Sequence, residues 1–166
     1  MSFNFKESLA KGQAIASLVK KNQRELDDLY DELTKTLSEH LGFEVHLYDS
    51  PEYKGVDSSN SIAASFALIN AWATPERVAT GYRILLLGAK DTSVDKVTLF
   101  KYKESDDVYP ITVLINKDKM LCYSQEDYAA AISKVLENSR LNLELIEFKS
   151  KVEQALQESS KDSGPA

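Results

Sequence analysis

Cysteine is almost missing: Cys122 is the only one in 166 residues. No disulfide can close within the chain, and a multi-thiolate zinc site is excluded. So little cysteine fits a reducing compartment, and a cytoplasmic location is expected. Histidine is nearly as scarce, with His40 and His46 alone. The chain has six glycines, which leaves little material for a phosphate-cradling loop. Gly81 and Gly88 lack the lysine and hydroxyl of a P-loop and the spacing of a dinucleotide fingerprint. No Gly-x-Ser-x-Gly elbow occurs. No apolar run approaches the ~20 residues that cross a bilayer. The opening Met-Ser-Phe-Asn-Phe-Lys-Glu lacks the basic stretch and apolar run of a signal peptide. Positive charge is in the minority, with 20 basic against 26 acidic side chains and a net charge of −6. Sequence-independent nucleic-acid binding needs a basic face, so that class of partner is not expected.

What is present is an ordinary globular composition, 43% apolar and 28% charged. One domain over residues 1–157 is expected, followed by a disordered tail over 158–166, which is small, polar and ends near Gly164-Pro165. The most legible stretch runs from Ile111 to Arg140. Ile111–Ile115 and Met120–Tyr123 read as strands around the polar turn Asn116-Lys117-Asp118-Lys119. Ser124 with Asp127 three residues on is a helix-start signal. Tyr128, Ile132, Val135 and Leu136 then form the buried face of that helix. Asn138-Ser139-Arg140 breaks it. Leu141, Leu145, Phe148, Val152 and Leu156 recur at helical spacing, although Leu141, Leu143 and Leu145 also suit the start of a strand.

Residues 3–41 form the first helical region. Ile15, Leu18, Val19, Leu26, Leu29, Tyr30, Leu33, Leu37 and Leu41 alternate threes and fours and share one stripe. Charge along it is lopsided, with Lys6, Lys11, Lys20, Lys21 and Arg24 ahead of Glu25, Asp27, Asp28, Asp31, Glu32 and Glu39. A single helix in that order opposes its own dipole. Two arrangements remove the conflict. In the preferred one the helix breaks at Asn22, which caps a second helix with Glu25 at the capping-box position. In the other, one long helix pairs antiparallel with a second copy, basic half against acidic half. The first and last helices share a rhythm and are expected to pack together.

Gly42 suits a helix end. Phe43–Tyr48 alternates as a strand, and residues 49–60 read as an exposed loop. Ser61–Trp72 is assigned to a strand, with a helix as the competing assignment because of its alanines. Thr74-Pro75-Glu76 is a helix-start signal. Tyr82–Gly88 suits a central strand, Asp91–Asp95 a turn, residues 97–102 a strand, and Lys103–Asp107 a charged loop. Pro110 opens the next strand. The expected class is α+β: an antiparallel sheet of five to six strands flanked by N-terminal and C-terminal helices over one face.

Chemistry is sparse. His40 and His46, completed by Glu44 or Asp49, are the one conceivable two-histidine metal or catalytic site, with positions 44 and 46 on one strand face; two unclustered histidines are more often plain surface residues. Cys122 precedes a helix N-terminus but has no base nearby in sequence, and reads as core packing. No catalytic residue, metal ligand or cofactor is assigned. Two features point to recognition. Asp27, Asp28, Asp31 and Glu32 form a dense acidic helix face that could dock a basic partner. Tyr53 and Trp72, in or beside loops, could be exposed anchors. The expected function is non-enzymatic binding of another protein, as in the inhibitors, immunity factors and adaptors of bacteria and their mobile elements. The alternatives are a ligand-binding or enzymatic pocket on the sheet face near His46, and a homodimer joined through the terminal helices.

Overall fold

The computed structural model describes residues 4–54 and 77–162. The expected strand at Ser61–Trp72 and the helix start at Thr74-Pro75-Glu76 lie outside the described residues, as do residues 55–60 of the expected loop and residues 163–166. The order is α1 (Phe5–Leu41), β1 (Val45–Tyr53), β2 (Ala79–Ala89), β3 (Val97–Ser105), β4 (Val108–Ile115), β5 (Asp118–Cys122), α2 (Gln125–Leu136) and α3 (Ser139–Asp162). The five strands form one antiparallel meander, each pairing with its neighbours in sequence. This is the α+β arrangement expected from the residue patterns.

Alternation decides which side of the sheet is covered. Successive side chains of a strand point to opposite faces. In register, Val45 lies opposite Ala89 and Leu47 opposite Leu87. Arg83 lies opposite Tyr102, Tyr102 opposite Val113, and Val113 opposite Met120. That face carries Leu85, Leu87, Phe100, Tyr102, Ile111, Val113 and Cys122, all buried. Leu26, Leu33, Leu37 and Leu41 from α1 close over it. Tyr128, Ala131, Ile132 and Val135 from α2 and Leu141, Leu145, Phe148 and Val152 from α3 complete the cover. The C-terminal end of α1 meets α3, with His40 and Leu41 facing Asn142 and Leu145 across a groove. Phe43 packs edge-on against Phe148.

An aromatic knot sits at the centre. Tyr30 and Tyr128 pack edge to face and share a 2.8 Å hydrogen bond between their hydroxyls. Phe100 and Tyr102 complete the cluster. Buried phenols need partners, and here each hydroxyl supplies the other's.

Three local expectations are corrected. First, α1 does not break at Asn22; it is continuous over 37 residues. The side chain of Asn22 donates to the backbone carbonyl of Asp107 at 3.0 Å and caps nothing. Lys21 and Glu25 form a 3.3 Å bridge one turn apart across the expected break. Opposite charges at that spacing support a helix. The dipole penalty inferred from the charge order acts only in the end turns, at ~0.3–1 kcal/mol.

Second, β1 does not stop at Tyr48 but runs through Pro51 to Tyr53, and β3 runs on to Ser105. Proline is tolerated because β1 is an edge strand. The register shifts between Pro51 and Tyr53. Third, α3 continues to Asp162, into the stretch expected to be disordered from 158. The strand-like trio Leu141, Leu143 and Leu145 is helical throughout.

Other details follow the residue chemistry. Ser124 accepts from the Asp127 N–H, and the Asp127 carboxylate accepts from the Tyr123 N–H. Asn138 caps α3 by accepting from the Arg140 and Leu141 N–H groups. Gly42 ends α1 at φ 86°, the left-handed conformation glycine adopts readily.

Candidate functional site

The feature that most needs explaining is the length of α1. A helix of 37 residues is ~56 Å long. The longest strand has 11 residues and spans ~36 Å. The helix therefore outruns the sheet it packs on, and the excess is at its N-terminal end. Every residue from 4 to 18 is exposed, and the first partly covered one is Val19.

The projecting half is not a polar overhang. Phe5, Leu9, Ile15 and Leu18 are 70, 68, 55 and 54% exposed. Positions 5, 9, 12, 16 and 19 step by fours and threes, and so do 26, 30, 33 and 37. These two sets share one face of a 3.6-residue helix. The stripe that buries Leu26, Leu33 and Leu37 in the core thus runs on, exposed, past the body. Gly12 and Ala16 are small and sit in its middle; a Cβ added at Gly12 would meet nothing within 4 Å. The first 21 residues also carry four lysines against one glutamate. Lys11 and Glu7 are bridged at 2.8 Å.

Where α1 joins the body, the surroundings are acidic. Asn22 is tied to Asp107 in the β3–β4 turn, and Gln125 donates to the carbonyl of Glu25 at 2.7 Å. Tyr109 stands close by. Its phenol is pushed up to about 12, first by burial and then by Glu25 and Glu126. Its hydroxyl is buried and hydrogen-bonds to nothing among the described residues. Asp106 and Asp107 are exposed in the turn. Val108, next in line, holds φ 77° with its side chain buried, a conformation β-branched residues rarely take.

The residues singled out for recognition fall in separate places. Asp27, Asp28, Asp31 and Glu32 are all exposed on the outer side of α1. None makes an ion pair or side-chain hydrogen bond among the described residues. Tyr53 ends the edge strand β1 and is 47% exposed. No hydrogen bond or ring contact joins it to the acidic row. Trp72 lies outside the described residues. Phe5, Leu9, Ile15 and Leu18 carry exposed apolar surface on α1 instead; the signal for it is a helical stripe longer than the ~36 Å of the longest strand.

The polar groups weighed for chemistry are dispersed. His46 is 3.9 Å from Glu44, which is held at 2.9 Å by Lys90. Among the described residues, no three His, Cys, Asp or Glu side chains cluster in a way that could hold a metal. Cys122 is fully buried, and its thiol is pushed up by burial and by Asp127, away from nucleophilic character. The open face of the sheet has a shallow groove of about 370 Å³ lined by Tyr82, Lys103, Ser105, Thr112, Lys119 and Leu121. It includes neither His46 nor Glu44. Among the described residues, no helix is long and apolar enough to cross a membrane.

Asp49, Arg83 and Glu104 form a charged cluster on the helix-facing side of the sheet. Arg83 donates to Asp49 at 2.6 Å through Nε. The Glu104 carboxyl is pushed up by burial and by Asp49, against the pull of Arg83. It sits beside the aromatic knot and reads as part of its polar edge.

Comparison with protein-family models, curated proteins and solved structures finds no match for this chain.

Proposed function

We propose that this chain is a protein-binding domain that acts by contact, with the projecting half of α1 as the surface it presents. One observation carries this reading: the core-facing stripe of α1 continues, exposed, for four turns beyond the first residue that the described body covers. Helices draw most of their stability from burying an amphipathic face, and short isolated segments are marginal in water. Leu9 on that face and Ile15 at its border are exposed large apolar residues of the kind that a partner covers, while Leu18 lies on the opposite side of the helix from Leu9. The outer row of Asp27, Asp28, Asp31 and Glu32 belongs to the same helix and tunes partner choice by charge rather than supplying affinity. Tyr53 stands apart from this surface.

The test is site-specific photo-crosslinking in cells that express the chain. A photo-reactive residue in place of Leu9 or Ile15 should give a discrete protein adduct. The same residue in place of Lys134, on the exposed side of α2, should give none. Equal labelling at all three positions, or none at Leu9 and Ile15, would remove the projecting half as a contact surface.

A further inference from the structure

We propose that the open face of the sheet binds single-stranded nucleic acid, with phosphates held by Lys103 and Lys119 and a base stacked on Tyr82. The proposal is independent of α1 and of what that helix contacts.

Net charge speaks against nucleic acid as a partner, but the charge is unevenly divided. Alternation and register place a set of lysines on the face turned away from the helices. Lys101 lies opposite Ile84 and Leu114, Leu114 opposite Lys119, and Lys103 opposite Thr112. Lys96 joins them, with its ammonium 3.8 Å from the centre of the Tyr48 ring. Tyr48 lies opposite Leu86 on this same face. Lys96, Lys101 and Lys103 thus follow β3, the middle strand of the five, over ~23 Å.

Some of this charge is used within the chain. Glu52 binds Lys101, and Glu44 binds Lys90. Lys103 and Lys119 are both exposed and make neither an ion pair nor a side-chain hydrogen bond among the described residues. Glu104 also borders the groove, but alternation turns it to the helix side, where Asp49 and Arg83 act on it. Two free ammonium groups therefore line one groove of about 370 Å³.

Tyr82 narrows the choice of anion. It lines that groove with the two lysines and is half-buried. Among the described residues its ring stacks on no other, and its hydroxyl has no hydrogen bond. A ligand that engages all three side chains carries a planar ring and negative charges spaced along a chain. Stacked bases and lysine-held phosphates are how single strands lie across a sheet. Extended peptides instead add to a sheet edge through backbone hydrogen bonds, whereas Tyr82 and Lys103 stand on the interior strands β2 and β3. A free nucleotide is disfavoured because small-ligand sites enclose most of their ligand, and this groove is shallow. Asp106 and Asp107, in the turn next to Ser105 at one end of the groove, direct an anionic strand back along β3 towards Lys96.

Fluorescence anisotropy of the full chain with fluorescein-labelled oligo(dT) and oligo(U), about 12 nucleotides long, tests the proposal. Binding to either supports it, and a preference between them names the sugar. The logarithm of the affinity should fall with the logarithm of salt at a slope of about −2, as for about three phosphate contacts. Lys103→Glu with Lys119→Glu should weaken binding about tenfold and bring the slope to about −0.7. Tyr82→Ala should weaken binding about tenfold without changing the slope, while Tyr82→Phe keeps the ring and the affinity. Lys134→Glu, on the exposed side of α2, should change little. Circular dichroism checks that each variant keeps its fold.

Four results overturn the proposal: no binding to either oligomer in low salt; binding that the lysine and Tyr82 variants leave intact; competition by a duplex or by polyglutamate as strong as that by the oligomers; or thymidine monophosphate competing as well as the oligomers, which would make the groove a small-ligand site.

Discussion

Replacing leucines by alanine along α1 should produce a step in stability, with its edge near Val19. Leu26, Leu33 and Leu37 are 0, 6 and 4% exposed. Each alanine there removes buried apolar contacts and leaves space in a core shared with the sheet. The expected cost is ~2–5 kcal/mol per site, largest at Leu26. Leu9 and Leu18 are 68 and 54% exposed. Alanine at either loses little burial and slightly favours the helix, so the change should stay within ~0.5 kcal/mol. Urea unfolding followed by circular dichroism measures both sets, with the slope checked for constancy.

The step should be sharp. A cost above ~1 kcal/mol for Leu9→Ala in dilute protein would show that the first half of α1 packs on its own body. A cost below that figure for Leu26→Ala would show that the second half does not.

Three further outcomes are expected. Burial, before any other cause, pushes the phenols of Tyr30, Tyr102, Tyr109 and Tyr128 up. The stability they lend is complete below the unfolded tyrosine value of ~10 and is lost as pH rises beyond it. An absorbance titration should therefore show the exposed tyrosines ionising first and these four only with unfolding; a single transition near pH 10 would contradict the buried knot. Gly88→Ala should destabilise by ~1–3 kcal/mol, because an added Cβ would lie 2.8 Å from the Tyr48 ring and 3.2 Å from the Lys96 side chain. Tyr48→Ala in the same chain should recover most of that loss in urea unfolding, and additive effects would argue against the contact. Glu104→Gln should raise stability at neutral pH, since the raised carboxyl is held charged at a cost there. That gain should vanish once pH falls below the unfolded carboxyl value, and a gain that persists in acid would point to packing instead.

Much of the fold was legible because local signals agreed with one another. Ser124 and Asp127, the turn at Asn116 and Lys117, and the spacing of Tyr128, Ile132 and Val135 each fixed one piece of β4, β5 and α2. The failures share a cause. At Asn22 the charge order spoke for a break, but an end effect confined to terminal turns is weaker than a continuous apolar stripe and a side-chain bond to Asp107. Pro51, a strand-breaking residue, lies in the stretch 49–60 whose composition reads as a loop, yet β1 runs through it. Whether proline is tolerated depends on lying at the sheet edge, which no local pattern reveals. At Glu158 a polar composition suggested disorder, yet α3 carries on to Asp162. The exposed apolar surface of α1 is hidden differently. Phe5, Leu9, Ile15 and Leu18 look like core in any periodicity count. Only the sheet's length, set by strand pairing far along the chain, shows that the helix outruns the sheet there.

Hydrogen exchange of the backbone amides along α1 tests its division most directly. The expected result is fast exchange over residues 5–18 and strong protection over residues 26–37. Equal protection of the two halves would contradict it.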